Sequence, residues 1–355
     1  MRIFDNKKHI SIDIGASEIK IIEGKATKKN IVIQNAYTLK IPKNLYSDGM
    51  ILSMDQLSYL LKTSLKDNKI MSNMATVVVN SSNIITREIS LPKVSDGEIE
   101  SILKYQAEDF IPIEPQDYIF QYIHLGRVFD DGVEKLNLLL LAIPKTIIES
   151  HLNLINNIGL KPKVMDFQGH AIGKLFNYND MFNETNLIKG KAIASVDMGY
   201  DNTKVNIILN GVLKVSRVVN TGFSHLIKDI QKKVDRNEEE ILDIIKDIDL
   251  LEEVNFLDSE NTFVIDSINE VLSIVFDGID MVIKYYNTRD RDNEIDYIIL
   301  QGGLSNIHGL ETRFKRFFNI NAIKLHSFDR IKSDEDMGAY SNAVAGLIRL
   351  DEVQR

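Results

Sequence analysis

The chain of 355 residues has no cysteine, so neither disulfides nor thiolate metal sites contribute to it, and a reducing compartment suits it. It also lacks an apolar run of membrane-spanning length. The most apolar stretch, Leu138-Leu139-Leu140-Leu141-Ala142-Ile143, is far shorter than the roughly 20 residues a span needs, and it ends at Pro144. Met1 to His9 is polar and leads straight into a strand, without the apolar core of a signal peptide, so the expectation is a cytoplasmic protein. Cations are in the minority: 42 Lys and Arg against 51 Asp and Glu leave a net charge of -9, which argues against broad nucleic-acid binding. The seven His are scattered, with no H-E-x-x-H or comparable metal-binding spacing. What remains is a composition of 44% hydrophobic and 26% charged residues, the profile of a folded soluble protein, in a chain long enough for two domains around a cleft.

The stretch from Ile10 to Glu23 reads as two strands meeting at a tight turn. Ile10, Ile12 and Ile14 alternate before Gly15, and Ile19, Ile21 and Ile22 resume β-favouring residues after it. Gly15 lets the backbone approach an anion, Ser17 adds a hydroxyl donor, and Asp13 at the strand end suits a hydrated Mg²⁺. A D-x-G turn between strands is equally at home as a purely structural hairpin. The pattern returns at Ile193 to Ile207, where Asp197-Met198-Gly199 is followed by a hydroxyl at Thr203, then Lys204 and a strand. This second copy reads as carrying one extra turn residue before its hydroxyl. A duplicated hairpin facing its own copy makes a nucleotide cleft with two phosphate clamps.

Between the copies, Ile31 to Ile41 reads as strand, Asp55 as the cap of a helix carrying Leu57, Leu60, Leu61 and Leu65, and Thr76 to Asn80 as strand. From Ile84 to Gly159 a β-α-β-β-α module is inserted. In it, Ser95-x-x-Glu98 opens a helix as a capping box, and Asp130-Asp131-Gly132 joins two strands. Beyond the second hairpin, Gly211 fits a turn and Glu238 to Glu253 an amphipathic acidic helix with a solvated side. A long helix spans about Val264 to Asn287. The strand Ile295 to Leu300 then delivers Gly302-Gly303 into a helix start, as α/β proteins do to bring backbone against a nucleoside or phosphate. In the last helix Gly338, Ala339, Ala343, Ala345 and Gly346 form a small-residue face suited to close packing at a hinge.

Taken in order, Asp13-Ile14-Gly15, Asp197-Met198-Gly199, Gly302-Gly303 and the Gly338-to-Gly346 helix resemble the phosphate-1, phosphate-2, adenosine and second connecting motifs of the actin, hexokinase and heat-shock-chaperone superfamily. The inserted module is placed as in the FtsA and PilM branch. Lys20, the passage Tyr105-Gln106-Ala107-Glu108-Asp109-Phe110-Ile111-Pro112-Ile113, and Asp117-Tyr118 through Tyr122 make the chain most similar to the PilM family of type IV pilus assembly.

That resemblance implies an α/β, actin-like (ribonuclease H-like) duplicated fold with an inserted small subdomain. Residues 1–83 and 160–190 would form the first domain, with helix 335–350 packing back on it, and 84–159 the inserted module. Residues 191–225 and 294–334 would form the core of the second domain, and 226–293 its outer part.

The resemblance also implies ATP with Mg²⁺. One phosphate clamp would be Asp13, Gly15, Ala16, Ser17 and Lys20, and the other Gly199, Tyr200, Asn202, Thr203 and Gly222. Gly302, Gly303 and Leu304 would face the nucleoside, Asp13 and Asp197 would hold Mg²⁺ through water, and Gln168 would position the attacking water. An amide is a poor general base, so the expectation is an ATPase that is slow at most. Two departures bear on turnover: Ala16 stands where the family has a Ser, and Gly222-Phe223 where it has Gly-Gly.

The implied partners are the amino-terminal cytoplasmic tail of a PilN-like inner-membrane protein, gripped between the first domain and the module, the pilus inner-membrane complex with its motor ATPases, and further copies of the chain. The protein would be peripheral to the inner membrane, touching it only through partners, in a pilus or related type II secretion system. An FtsA-like filament is the alternative, but Leu347 to Arg355 is too short and acidic for the amphipathic anchor of such proteins. A sugar-kinase-type enzyme ranks lower, because the inserted module has no place in those enzymes.

Overall fold

A computed structural model describes residues 8–130, 132–251, 259–289, 293–333 and 335–349. Asp131 of the expected turn, Glu252 and Glu253 of the expected acidic helix, and the carboxy-terminal stretch from Leu350 to Arg355 lie outside the described residues.

The first domain opens with β1 (His9–Ile14), β2 (Glu18–Ala26) and β3 (Ile31–Lys40), continues through the short β4 (Tyr46–Ser47) and β5 (Met50–Ile51), and reaches α1 (Met54–Asp67) and β6 (Met74–Val79). The module adds β7 (Ile85–Pro92), α2 (Asp96–Phe110), β8 (Tyr118–Asp130) and β9 (Val133–Pro144). Then come α3 (Lys145–Asn157), β10 (Lys161–Phe167), α4 (Gln168–Tyr178) and the small pair β11 (Met181–Phe182) and β12 (Asn186–Leu187). The second domain has β13 (Ala192–Met198), β14 (Thr203–Leu209), β15 (Val212–Val219), α5 (Phe223–Lys233), α6 (Glu238–Asp247), α7 (Ser259–Asn287), β16 (Tyr297–Gln301), α8 (Leu310–Phe318) and β17 (Asn321–Lys324). β18 (Ile331–Lys332) and α9 (Met337–Ala345) return to the first domain.

The two large sheets are copies of one design. The first runs β10-β6-β1-β2-β3, extended by β18, and the second β17-β16-β13-β14-β15. In each, an antiparallel three-strand meander leads into two strands parallel to its first member. Both faces of the first sheet are buried, which explains its isoleucine-rich strands. Ile10, Ile12, Ile19 and Ile21 meet Leu57, Leu61, Leu154 and Ile155 on one side, while Ile22 and Ala26 share a second cluster with α4 and α9.

The duplicated turns are of equal length, and here the structure corrects the sequence reading. Asp13 pairs with Lys20 and Ile14 with Ile19; Asp197 pairs with Lys204 and Met198 with Thr203. Both turns close with the same bond, Gly15 N–H to the Glu18 carbonyl at 2.9 Å and Gly199 N–H to the Asn202 carbonyl at 3.0 Å. The hydroxyls occupy different turn positions; no residue is inserted.

The module's sheet, β7-β9-β8, explains the leucine run. Side chains alternate along β9, so Leu138, Leu140 and Ala142 pack under α2 while Leu139, Leu141 and Ile143 face the body of the protein. Ser95 caps α2 as expected, its N–H and hydroxyl donating to Glu98 at 2.8 and 2.7 Å. Two other ends differ. Ser53, not Asp55, is the cap residue of α1, and Asp55 lies in the first turn, where its charge favours the helix dipole. α6 stops at Asp247 because Ile248 turns extended and stays buried, and Leu250 N–H then bonds the His308 carbonyl. No helix among the described residues is long and apolar enough to cross a membrane.

Candidate functional site: a paired-aspartate cleft

Equivalent strand ends from the two sheets meet at the centre of the molecule. Asp13 is the next-to-last residue of β1 and Asp197 of β13, and α9 brings Asn342 between them. The Asn342 amide donates to Asp13 Oδ2 at 3.2 Å and to Asp197 Oδ2 at 3.0 Å, so one buried NH₂ group bridges the two domains. Lys204 Nζ lies 3.5 Å from Asp197.

The electrostatics split the two acids. Burial, reinforced by the Asp197 charge, raises the Asp13 carboxyl above its ordinary range despite Lys20, Lys204 and the Asn342 amide. Burial also raises Asp197, but Lys204, Asn342 and Lys20 outweigh it and hold that carboxyl below the usual range. Burial depresses the Lys204 ammonium, yet Asp197 and Asp13 prevail and keep it raised and charged.

From Asn342 a chain of buried side chains leads away from the cleft. Gln168 Nε2 donates to Asn342 Oδ1 at 3.0 Å, Asn206 Nδ2 to Gln168 Oε1 at 3.0 Å, and Ser216 Oγ to Asn206 Oδ1 at 2.7 Å. Every donor points toward the carboxylates, so the bonds polarise one another in one sense. Beyond Ser216 the module begins. Thr86 on β7 donates to the Ser216 carbonyl at 3.0 Å and accepts from Arg217 Nη1 at 2.7 Å. The cleft and the module are therefore joined by a path of hydrogen bonds that passes through the backbone of Ser216.

The expected site residues divide into three groups. Asp13, Asp197 and the glycine turns form the cleft. Gly302 has φ of +86°, and an added Cβ there would lie 2.6 Å from Asp197 Oδ1, so only glycine fits. At Gly222 an added Cβ would lie 2.6 Å from Asn202 N and Tyr200 O, which makes this glycine a close-approach position against the second hairpin. Gly303 faces open space, Leu304 is buried beneath it, Ala16 is buried in its turn, and the Ser17 hydroxyl has no partner among the described residues. Lys20 stands opposite Asp13 in the hairpin.

The second group is tied up elsewhere. The Thr203 hydroxyl, fully buried, donates to the Thr221 carbonyl at 2.8 Å. The Asn202 amide reaches across the cleft to Asp48 at 3.2 Å, and Tyr200 carries Lys43 over its ring at 5.0 Å, where Lys43 also pairs with Glu238. Ser47 donates to Asp201 at 2.9 Å in the same seam. These bonds latch the first domain to the second hairpin. Phe223, the departure from Gly-Gly, packs against the second-domain core.

Gln168 stands alone. It is 2% exposed and both ends of its amide are engaged, so in this arrangement it positions Asn342. Asn342, Asn206 and Ser216 escaped the sequence reading. Their signal was a polar residue inside an otherwise apolar strand or small-residue helix, which burial must satisfy.

The residues fit a magnesium nucleotide. Two carboxylates of opposite pKa tendency lie beside a lysine at converging hairpins, glycines leave the backbone bare, and Gln301 Nε2, wholly buried opposite Asp197 in the sheet, is an orphaned donor at the floor. Asp13 and Asp197 would hold the hydrated cation, and the two turns the phosphates.

Residues 11–341 match the family model described as type IV pilus assembly protein PilM. Among solved structures, the chain is similar to the PilM-PilN type IV pilus biogenesis complex with a TM-score of 0.78 at 18% identity, covering 96% of this chain and 98% of that one. It is similar to MreB 5 of Spiroplasma citri bound to AMPPNP with a TM-score of 0.53 at 13% identity, covering 96% and 95%. The ethanolamine utilization protein EutJ from Carboxydothermus hydrogenoformans gives a TM-score of 0.53 at 12% identity, covering 97% and 91%. The fold is therefore actin-like, and a family match over nearly the whole chain shows that this protein belongs to the PilM family of type IV pilus assembly proteins.

Proposed function

We propose that this protein is a nucleotide-gated scaffold of type IV pilus assembly, which binds Mg-ATP in the paired-aspartate cleft and grips the amino-terminal tail of a PilN-like inner-membrane protein. The carrying observation is Asn342, which donates to both cleft carboxylates and heads the path to the module. The solved PilM-PilN complex supports the partner, and the MreB structure with AMPPNP supports the nucleotide. The tail would lie between the first domain and the module, and the protein would sit at the inner membrane through that partner. Contacts with the motor ATPases and self-association belong to the same reading.

When bound, Mg-ATP supplies a polyanion and a divalent cation to the two aspartates. Asp13 and Asp197 would hold that cation in place of their bonds to Asn342, whose amide would then be free to re-set the donors behind it. Lys20 and Lys204 would neutralise phosphate charge, and the bare turns would receive it. Gln168 is an amide and not a base, which supports a binding role over turnover. Isothermal titration with Mg-ATP and with a synthetic tail peptide tests this: both bind, and nucleotide tightens the peptide. Absence of binding by either one overturns it.

A further inference from the structure

The module and the second domain line an open cavity of about 560 Å³, whereas the groove proposed for the tail would lie between the module and the first domain. Three features define what it takes. Its charge is the reverse of the chain's. In a protein of net charge -9, Arg87, Arg217 and Arg289 surround it with Glu88 the one carboxylate. Glu88 is already matched, since Arg289 grips it through Nε at 2.9 Å and through Nη2, and Asn137 donates to it at 2.7 Å. The other two guanidiniums keep free donors. Arg217 directs Nη1 at Thr86 and the Ser216 carbonyl, leaving Nε and Nη2 without partners among the described residues, and exposed Arg87 has no ion pair among them. The Tyr285 ring lies 5.8 Å from Arg217 and 5.3 Å from Arg289 and fixes both.

The second feature is a strand edge. β7 is the outer strand of the module sheet, paired only with β9. Four consecutive β7 residues, 85 to 88, line the cavity, and alternate side chains point to opposite faces. The cavity therefore runs along the edge of β7 and not over one face; the Thr86 carbonyl there accepts from Arg217 Nη1 at 3.3 Å, and the edge positions beyond it are where another strand can pair. The third feature is apolar: Ile111, Pro112 and Ile113, at the end of α2, form the facing wall.

We propose that this cavity binds an extended acidic peptide segment, which adds to the β7 edge, sets a carboxylate on Arg217 and Arg87, and lays an aliphatic neighbour against Ile111 to Ile113. A guanidinium fork matches a carboxylate in two parallel bonds, and the strand edge supplies the backbone register. The site is tested without nucleotide, so its outcome is read apart from the nucleotide reading.

The test is an array of octapeptides whose two central positions vary over acidic, amide, basic and aliphatic residues. It is probed with the full chain in the absence of nucleotide, and the hits are measured by fluorescence anisotropy. Peptides pairing Glu or Asp with Leu, Ile or Val are expected to bind at least tenfold more tightly than their amide counterparts. Arg87→Gln, which breaks no bond in the seam, is expected to reduce that preference, and Arg87→Gln with Arg217→Gln to remove it. Arg127→Gln, on the far hairpin of the module, is expected to leave it intact. Equal binding of acid and amide peptides, a preference that survives the double variant, or no bound peptide at all overturns the proposal.

Discussion

Asp13 is held in the folded protein with its carboxyl raised, by burial first and by Asp197 second. A raised carboxyl binds its proton more tightly folded than unfolded, so its contribution to stability is full below the ordinary carboxylate pKa and lost as pH rises through the raised one. Asp13→Asn removes a charge that the apo fold carries at a disadvantage. The expected result is a melting temperature at pH 7 higher by about 2–4 °C without nucleotide, the shift that about 1 kcal/mol produces in a domain of this size. Mg-ATP then adds no further stabilisation; differential scanning fluorimetry reads both. Asp166 behaves in the opposite way. Burial raises its carboxyl, but Lys174 and His170 outweigh that and hold it well below the usual carboxylate range. Lys174, equally buried, also donates to the Ile348 carbonyl at 2.8 Å and so ties α4 to the end of α9. The stability this pair lends is present above the ordinary Asp pKa and is lost as pH falls toward the depressed one. Asp166→Asn leaves a buried ammonium without its counter-charge and is expected to cost roughly 3–5 kcal/mol at pH 7, measured by urea unfolding. No loss there would show that the pair is not what fixes α9.

At the scale of elements, α9 depends on small residues. At Gly346 an added Cβ would run into the Ser11 side chain and lie 2.9 Å from Val78 Cγ2, and at Gly338 it would lie 2.6 Å from the Leu325 carbonyl. Gly346→Ala is therefore expected to destabilise by about 1–3 kcal/mol through overpacking, although alanine is the better helix former. An unchanged urea midpoint contradicts close packing of α9 on β1. This face was legible in the sequence at Gly338, Ala343, Ala345 and Gly346, which are buried, but Ala339, expected on the same face, is exposed. The two hairpins were legible too, since isoleucine alternation around D-x-G fixes strand, turn and strand. The equal length of the turns was not legible, because hydroxyls at Ser17 and Thr203 suggested an alignment that the Asp-to-Lys pairing overrules. Thr203 and Asn202 carried the right chemistry for phosphate, but the backbone carbonyl of Thr221 and the carboxylate of Asp48 lie nearer to hand. Such partners come from elements distant in the chain, and local pattern does not announce them. The same holds for Asn206, whose partner Gln168 comes from a helix of the other domain, whereas Ser216 meets Asn206 across the β14–β15 pair.

At the scale of the whole molecule, two of the polar connections between the domains among the described residues start at the cleft. A latch at the cleft mouth joins Lys43 to Glu238 and Tyr200, Ser47 to Asp201 and Asp48 to Asn202. A deeper path runs from the aspartates through Asn342, Gln168, Asn206 and Ser216 to Thr86. On the proposed reading the latch would set the angle between the domains, and the path would carry the state of the cleft to the module. Hydrogen-exchange mass spectrometry with and without magnesium and a non-hydrolysable ATP analogue tests that central claim. It is applied to the natural chain and to Asn206→Leu, which keeps the branched outline of the side chain and ends the path. In the natural chain the analogue is expected to change exchange in β7 and β15 by about five- to tenfold, the effect of altering one hydrogen bond of about 1–1.5 kcal/mol. In Asn206→Leu the two glycine hairpins still gain protection while β7 and β15 do not respond. A response confined to the hairpins in the natural chain, or an equal response of β7 in Asn206→Leu, would contradict the account.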